Sequence, residues 1–378
     1  LLVKPQWFPY RMDHVTGMFN YRNGQVTLTG IRAQHGKTVI RLDGSCFFPM
    51  EGPWDAKLTN VTVDHLLTDH EFITALPLPI RKAIAKLNIT GPLMLRGQLQ
   101  LAKAMEGNRK LNAQWDLKIA AAGATLESGL RLDHIHGGVR LFGLYDKDGF
   151  RSRGELDIDS LFFRKEQLTN LRGPLWIDSR QVLFGAWSQH QVESQKPQSI
   201  SAKSLGGRIV LDAQLITGPD ARFFMQAGLQ QGDLAYILNQ RGVDAKVTGK
   251  ADATLQLSGR TSGVHTWRGR GSIRLRNADI YQVPLMVALL SLVSVRPPDT
   301  TAFTASDINY RIHSDRVYLD RIRFSGDAIS LEGNGWLDFD KKINLSFYTL
   351  VGRSELRIPI VSSLLAEASR NLLKIQVV

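Results

Sequence analysis

The residues best placed to do metal chemistry in this sequence are the two histidines of Asp133-His134-Ile135-His136. On a strand, an i, i+2 spacing sets both imidazoles on one face, where they could chelate an ion. No third ligand stands near them in sequence, so no metal site is expected. Asp64-His65 and Asp69-His70 flank a short apolar turn and read as solvated surface. The single cysteine, Cys46, can form no internal disulfide, and a structural zinc site built on cysteines is excluded. The sequence contains no Gly-x-Ser-x-Gly elbow, no phosphate-binding glycine loop with its lysine, and no zinc-protease motif. Acidic residues are spread along the polar sides of strands, and no two are marked out as a glycosidase pair. The expectation is a protein with no catalytic residue and no cofactor.

The chemistry that remains is that of apolar surface. Val26-x-Leu28-x-x-Ile31 with Ile40-x-Leu42-x-Gly44 recurs almost residue for residue as Val317-x-Leu319-x-x-Ile322 with Ile329-x-Leu331-x-Gly333. Val26, Leu28, Ile40, Leu42, Val317, Leu319, Ile329 and Leu331 are the candidate lining residues. The three-residue steps to Ile31 and Ile322 fall out of phase and imply either a bulge or a turn. Such faces make either the closed core of a sandwich or an open trough. An acyl chain would suit the trough: at ~0.8 kcal/mol per buried methylene, sixteen carbons gain roughly 12 kcal/mol before ordering costs.

The elements that must position these residues are strands. Period-two alternation dominates, as in Leu93-Leu95-Gly97-Leu99-Leu101, Ala113-Trp115-Leu117-Ile119 and Ala251-Ala253-Leu255-Leu257. The intervening positions carry Arg, Gln, Asp, Lys and Thr, so each strand has one greasy and one wet side. Asn23-Gly24, His35-Gly36, Asp148-Gly149 and Gly333-Asn334-Gly335 supply turns between them. Three helices each follow a proline: near 79–87, 284–295 and 359–373. Their apolar residues Leu285, Met286, Leu289, Leu290, Leu364 and Leu365 are expected to plug the trough or touch a membrane. A weaker helical stretch runs from Asp233 to Gln240.

The fold class read from this pattern is mainly β: a long curved antiparallel meander forming a taco-like groove with an apolar lining, plus a few short helices at its ends or rim. A third partial copy, Ile177 to Phe184, matches Ile312 to Leu319, so duplicated sheet modules are expected. The chain divides into repeated groove modules over 1–190, a loop over 191–206 and a second β region over 207–378. Some twenty strands in one sheet would extend it by about 100 Å.

Of the 378 residues, 43% are hydrophobic and the net charge is +12. Disorder is excluded. The charge serves solubility or attraction to anionic membrane surfaces. Scattered single Lys and Arg, without a basic helix, point away from nucleic acid. Starting at Leu1 and ending on Leu372 to Val378, the chain is expected to be an excerpt of a longer one.

The C-terminal third resembles a family. Gly269 to Pro284, Leu289-Leu290-Ser291-Leu292, the restart at Phe303-Thr304-Ala305, Leu319 to Leu337 and the ending from Ile358-Pro359 are similar to the C-terminal region of AsmA-like proteins. The match covers about residues 250–378; upstream the likeness is one of style. The resemblance implies a kinship with TamB-like, bridge-forming lipid-transfer proteins and a place in the periplasm. There an inner-membrane anchor outside this excerpt would hold it. It implies phospholipid or another acyl lipid, a membrane surface and outer-membrane assembly proteins as partners, and no enzyme activity. Conduction of phospholipid between inner and outer membranes is the leading expectation. The alternative is an assembly factor whose sheet edges bind client strands of outer-membrane proteins. A β-rich polysaccharide enzyme would need convergent carboxylates in a polar cleft, and a membrane barrel is disfavoured by the interrupting helices.

Overall fold

The structure is a computed structural model that describes residues 2–4, 8–49, 52–76, 81, 84–85, 87–103, 111–128, 130–189, 197–240, 247–277, 305–325, 329–340, 342–351 and 358–360. Alternation at period two has one outcome here: the described chain is a mainly β antiparallel meander with three short α-helices. It separates into two compact units, Leu1–Ala202 and Lys203–Val378.

In the first unit β1 (Asp13–Arg22), β2 (Gln25–His35), β3 (Thr38–Phe47) and β4 (Trp54–Leu66) pair in chain order. Helix α1 (His70–Ala75) follows. Strands β5 (Ile89–Thr90) and β6 (Leu93–Lys103) then both pair with β7 (Leu111–Glu127), and β6 also pairs with β4. The meander continues through β8 (Arg131–Asp146), β9 (Gly149–Phe163), β10 (Glu166–Asp178) and β11 (Gln181–Phe184), and ends on α2 (Ala186–Gln189). Strand β12 (Ile200–Ser204) carries the division between the units.

The second unit runs through β13 (Gly207–Ile216), β14 (Arg222–Asp233), helix α3 (Leu234–Gln240), β15 (Lys250–Arg260), a 3-10 turn at Val264–Thr266 and β16 (Arg268–Arg276). It continues as β17 (Ala305–His313), β18 (Arg316–Ser325), β19 (Ile329–Asp338), β20 (Ile343–Val351) and β21 (Ile358–Ile360). Each of these strands pairs antiparallel with the next.

Local chemistry explains the joints. Asn23 and Gly24 both adopt positive φ, 49° and 80°, and close the β1–β2 hairpin as the primed turn that matches strand twist. The partial repeat is a hairpin in both places, with one register: Ile177 faces Val182 and Ile312 faces Val317. Helix α1 starts where the Asp69 carboxylate accepts the Phe72 N–H at 2.8 Å. Helix α3 starts in the same way, with Asp233 accepting the Tyr236 N–H at 3.0 Å. Asp69 is therefore a helix cap, a role that the surface reading of Asp69-His70 had not included.

The out-of-phase isoleucines are explained by bulges. Leu28 faces Gly44 and Ile31 faces Leu42, so β2 spends three residues where β3 spends two. Leu319 faces Gly335 and Ile322 faces Gly333, the same extra residue in β18 against β19. Each bulge restores the apolar phase and bends the strand. The pairing also corrects the repeat by one step: Gly335, not Gly333, stands in the place of Gly44.

Three further expectations change. Residues 200–204 form β12 rather than loop: Ile200, Ala202 and Ser204 are all under 9% exposed, a period-two burial hidden by a Ser- and Lys-rich composition. The two units divide at 202/203, inside the expected 191–206 break, although that break contains a strand. Chain at Ile358–Ile360 is a strand paired with β20, so no helix begins at Pro359; an edge strand tolerates a proline that cannot donate. His134 has φ of 49° and sits at a bulge, which breaks the i, i+2 alignment with His136. Residues 81, 84, 85 and 87 are helical, in keeping with the helix expected near 79–87. The segments 284–295 and 361–373, with Leu285, Met286, Leu289, Leu290, Leu364 and Leu365, lie outside the described residues.

Candidate functional site

Strand alternation plus register turns the sequence pattern into two continuous apolar surfaces, one in each unit. In the first, a row crosses the strands as Leu28, Gly44, Leu58, Leu99, Trp115 and Gly143. A parallel row reads Ala33, Ile40, Val63, Leu95, Ile119, Val139 and Leu156. Nine strands at ~4.8 Å spacing make this surface about 38 Å wide across β1 to β10. The wet face opposite carries the ion pairs: Arg140 with Asp116 at 3.0 Å, Arg172 with Asp157 at 2.9 Å and Arg41 with Asp64 at 2.7 Å.

In the second unit one row reads Ile209, Leu229, Ala253, Ile273, Ile308, Ile322, Gly333 and Phe347. The next reads Leu211, Ala227, Leu255, Gly271, Tyr310, Leu319, Gly335 and Leu345. Val26, Leu28, Ile40 and Leu42 thus share one face of the first unit, and Val317, Leu319 and Leu331 one face of the second. Ile329 belongs to β19.

Burial distinguishes the face of the first unit from an ordinary core. Leu28, Leu58, Leu99, Trp115, Leu117 and Leu141 are only half-buried. Full burial is local. One patch gathers Val26, Cys46, Ala56 and Leu101. Burial there pushes the Cys46 thiol above its ordinary value, which keeps it an inert apolar group. A second patch joins Leu66, Leu93 and Ala124, and Phe72 of α1 packs on it. Phe72 also meets Tyr10 edge-on at 5.9 Å, and Tyr10 lies against His35 at 4.3 Å. Helix α1 and the N-terminal segment therefore stopper one end of the strands.

Glycines within the strands make room on the apolar side. The Trp115 ring occupies the space beside Gly143, and the Tyr310 ring that beside Gly271. The Tyr310 hydroxyl reaches past Gly271 to the Thr254 carbonyl at 2.9 Å, and burial raises its pKa. These slots are unreadable along one strand, because the aromatic residue that fills each comes from the paired strand.

Among the described residues no three of His, Cys, Asp and Glu gather around a point that could hold an ion. The cavity of about 580 Å³ on the first unit holds one carboxylate, Asp116, and Arg140 grips it through two hydrogen bonds of 3.1 and 3.0 Å. No helix among the described residues is long and apolar enough to cross a membrane. Comparison with protein-family models, with curated proteins and with solved structures finds no match to this chain.

Proposed function

We propose that this chain is a non-catalytic lipid-transfer protein of a two-membrane envelope. Its apolar strand faces would hold the acyl chains of phospholipid passing between the inner and outer membranes. The observation that carries the reading is the half-buried state of the apolar rows. Residues such as Leu58, Leu99, Leu117 and Leu141 are aligned strand after strand, yet the described residues do not cover them as a sandwich core would. An aligned apolar face left partly uncovered suits an interaction site. A lipid tail satisfies it without any directional group, at ~0.8 kcal/mol per methylene. The AsmA-like character of residues 250–378 supports a periplasmic place and an inner-membrane anchor outside this chain, with the membrane surface as a partner.

Extraction of the purified full chain into organic solvent, followed by mass spectrometry, tests the reading. Phospholipid is expected at stoichiometric levels. Leu99→Arg with Leu117→Arg, on the apolar face, should empty it, whereas Met94→Arg with Gln98→Arg, on the wet face of the same strand, should not. Equal lipid in both variants, or none in the parent protein, would sink the idea.

One observation favours a second reading, in which sheet edges bind client strands of outer-membrane proteins. Edge strand β1 leaves Met18, Phe19 and Tyr21 exposed at 69%, 67% and 63%, and among the described strands it pairs only with β2. A long apolar edge is a template for strand addition. Photo-crosslinking from position 19 separates the two: protein adducts support the client reading, lipid adducts the conduit.

A further inference from the structure

The wet face of the first unit gathers apolar side chains from neighbouring strands at one place. By register, Gln98, Asp116, Phe142, Arg153 and Trp176 form one outer row. Lys57, Gln100, Gln114, Leu144 and Arg151 form the next. Alternation calls for polar residues at all ten positions, and Phe142, Leu144 and Trp176 depart from it. A local departure from the folding pattern that brings no core packing is a signature of function. These residues line the cavity of about 580 Å³, a volume typical of ligand sites.

The lining is specific in chemistry. Trp176 and Phe142 offer ring surface. The Trp176 indole N–H donates to Asp178 at 2.9 Å, which holds that ring. The guanidinium of Arg140 stands 4.4 Å from the Phe142 centroid and that of Arg153 stands 5.2 Å away. Gln98, Gln100 and Gln114 each present a donor and an acceptor side by side. Lys57, Arg151 and Arg153 add three cations. Arg151 is paired with Asp146 at 2.7 Å, and Asp116 is committed to Arg140. Arg153 is exposed and forms no salt bridge among the described residues.

We propose that this outer-face cavity binds an acidic saccharide chain. A pyranose ring has an apolar C–H side that lies on aromatic surface and an edge of hydroxyls that pairs with amides. The three glutamines match the second need and Trp176 with Phe142 the first. The unneutralised positive charge selects sugars that carry carboxylate or phosphate over neutral ones. An acyl chain has no use for the amide row. An inorganic anion alone has no use for the rings. By register these ten side chains lie on the opposite side of the sheet from the apolar rows, although Leu58, Leu99, Trp115 and Gly143 of one row also border the cavity, and the inference does not rest on the lipid reading.

Titration calorimetry on the full chain tests it, with short oligogalacturonides as the acidic probe, malto-oligosaccharides of equal length as the neutral probe and phosphatidylglycerol vesicles as the anionic lipid surface. Saturable binding of the acidic probe is expected, at least about tenfold tighter than the neutral one and weakened by salt. Arg153→Gln, at an exposed position the fold does not need, should loosen it about tenfold and leave extracted phospholipid unchanged. Trp176→Phe keeps a ring and should remove the fluorescence change on binding while the protein stays folded. The proposal is overturned if the acidic probe does not saturate, if Arg153→Gln binds it as the parent does, or if only the vesicles respond.

Discussion

The hairpins β2–β3 and β18–β19 are written in nearly one sequence, and they end up in different circumstances. Both use the Leu-x-x-Ile bulge opposite a glycine, Gly44 in one and Gly335 in the other. Around the second, burial is deep from β18 to β20: Leu331 is 1% exposed, Phe347 2% and Ile322 3%, and the Phe324 and Phe347 rings stack at 6.2 Å, while Leu319, the counterpart of Leu28, is half-buried. Around the first, Leu28 is half-buried and the row runs out at exposed Phe19. The bulges are tied differently as well. Asp43 accepts the Gly30 N–H at 2.7 Å and the Asn60 amide at 2.9 Å. In the second hairpin Glu332 takes both Arg321 and Arg323. One strand code therefore builds a floor, and neighbouring elements decide how far that floor is covered.

Introducing charge should separate the two hairpins most. Leu331→Arg buries an unpaired cation and is expected to cost about 4 kcal/mol or more, while Leu28→Arg at the half-open site costs only about 1 kcal/mol. Urea unfolding followed by circular dichroism measures both, and equal losses would erase the contrast. Filling a glycine slot comes next. Gly271→Val meets the Thr254 backbone carbonyl first and the Tyr310 ring next and should lose about 2 kcal/mol or more; adding Tyr310→Ala should recover only the smaller part that the ring causes.

Smaller effects probe the ties. Glu332→Gln should cost about 0.5 kcal/mol and do so less at high salt, because its arginine partners are half exposed. The Asp43 tie should respond to acid instead. Hydrogen bonds from the Asn60 amide and the Gly30 N–H lower the Asp43 pKa below its ordinary 3.8. Its contribution is thus present above pH 3.8 and lost as pH falls through the lowered folded value. Hydrogen exchange at the Gly30 amide should quicken in that window in the parent protein and be fast at every pH in Asp43→Ala. The Gly335 region, which uses no such carboxylate cap, should not follow the same curve.

Much of the fold was legible because β-strand geometry is a local code. Leu93-x-Leu95-x-Gly97-x-Leu99 states its two faces, and Asn23-Gly24 states its turn, without help from distant residues. The shared face of Val26, Leu28, Ile40 and Leu42 was legible for the same reason. Strand β12 was not, because Ile200-x-Ala202-x-Ser204 is too short and polar to signal until it is buried. Nor could spacing decide between bulge and turn after Leu28, since only the partner strand shows that one residue is surplus. The outer cavity was invisible because Gln98, Lys57, Phe142 and Trp176 come from four strands, and each looks like ordinary surface in its own.

By itself, then, the sequence determined the strands, the side each residue takes, the hairpin joints and the absence of familiar catalytic motifs, all consequences of backbone periodicity and turn chemistry. Tertiary structure decided which strands are neighbours, where bulges restore phase, which aromatic rings fill glycine slots and which apolar rows stay half open. Those outcomes depend on hydrogen-bond register between segments far apart in the chain, and register is a property of pairs of strands, not of any one of them.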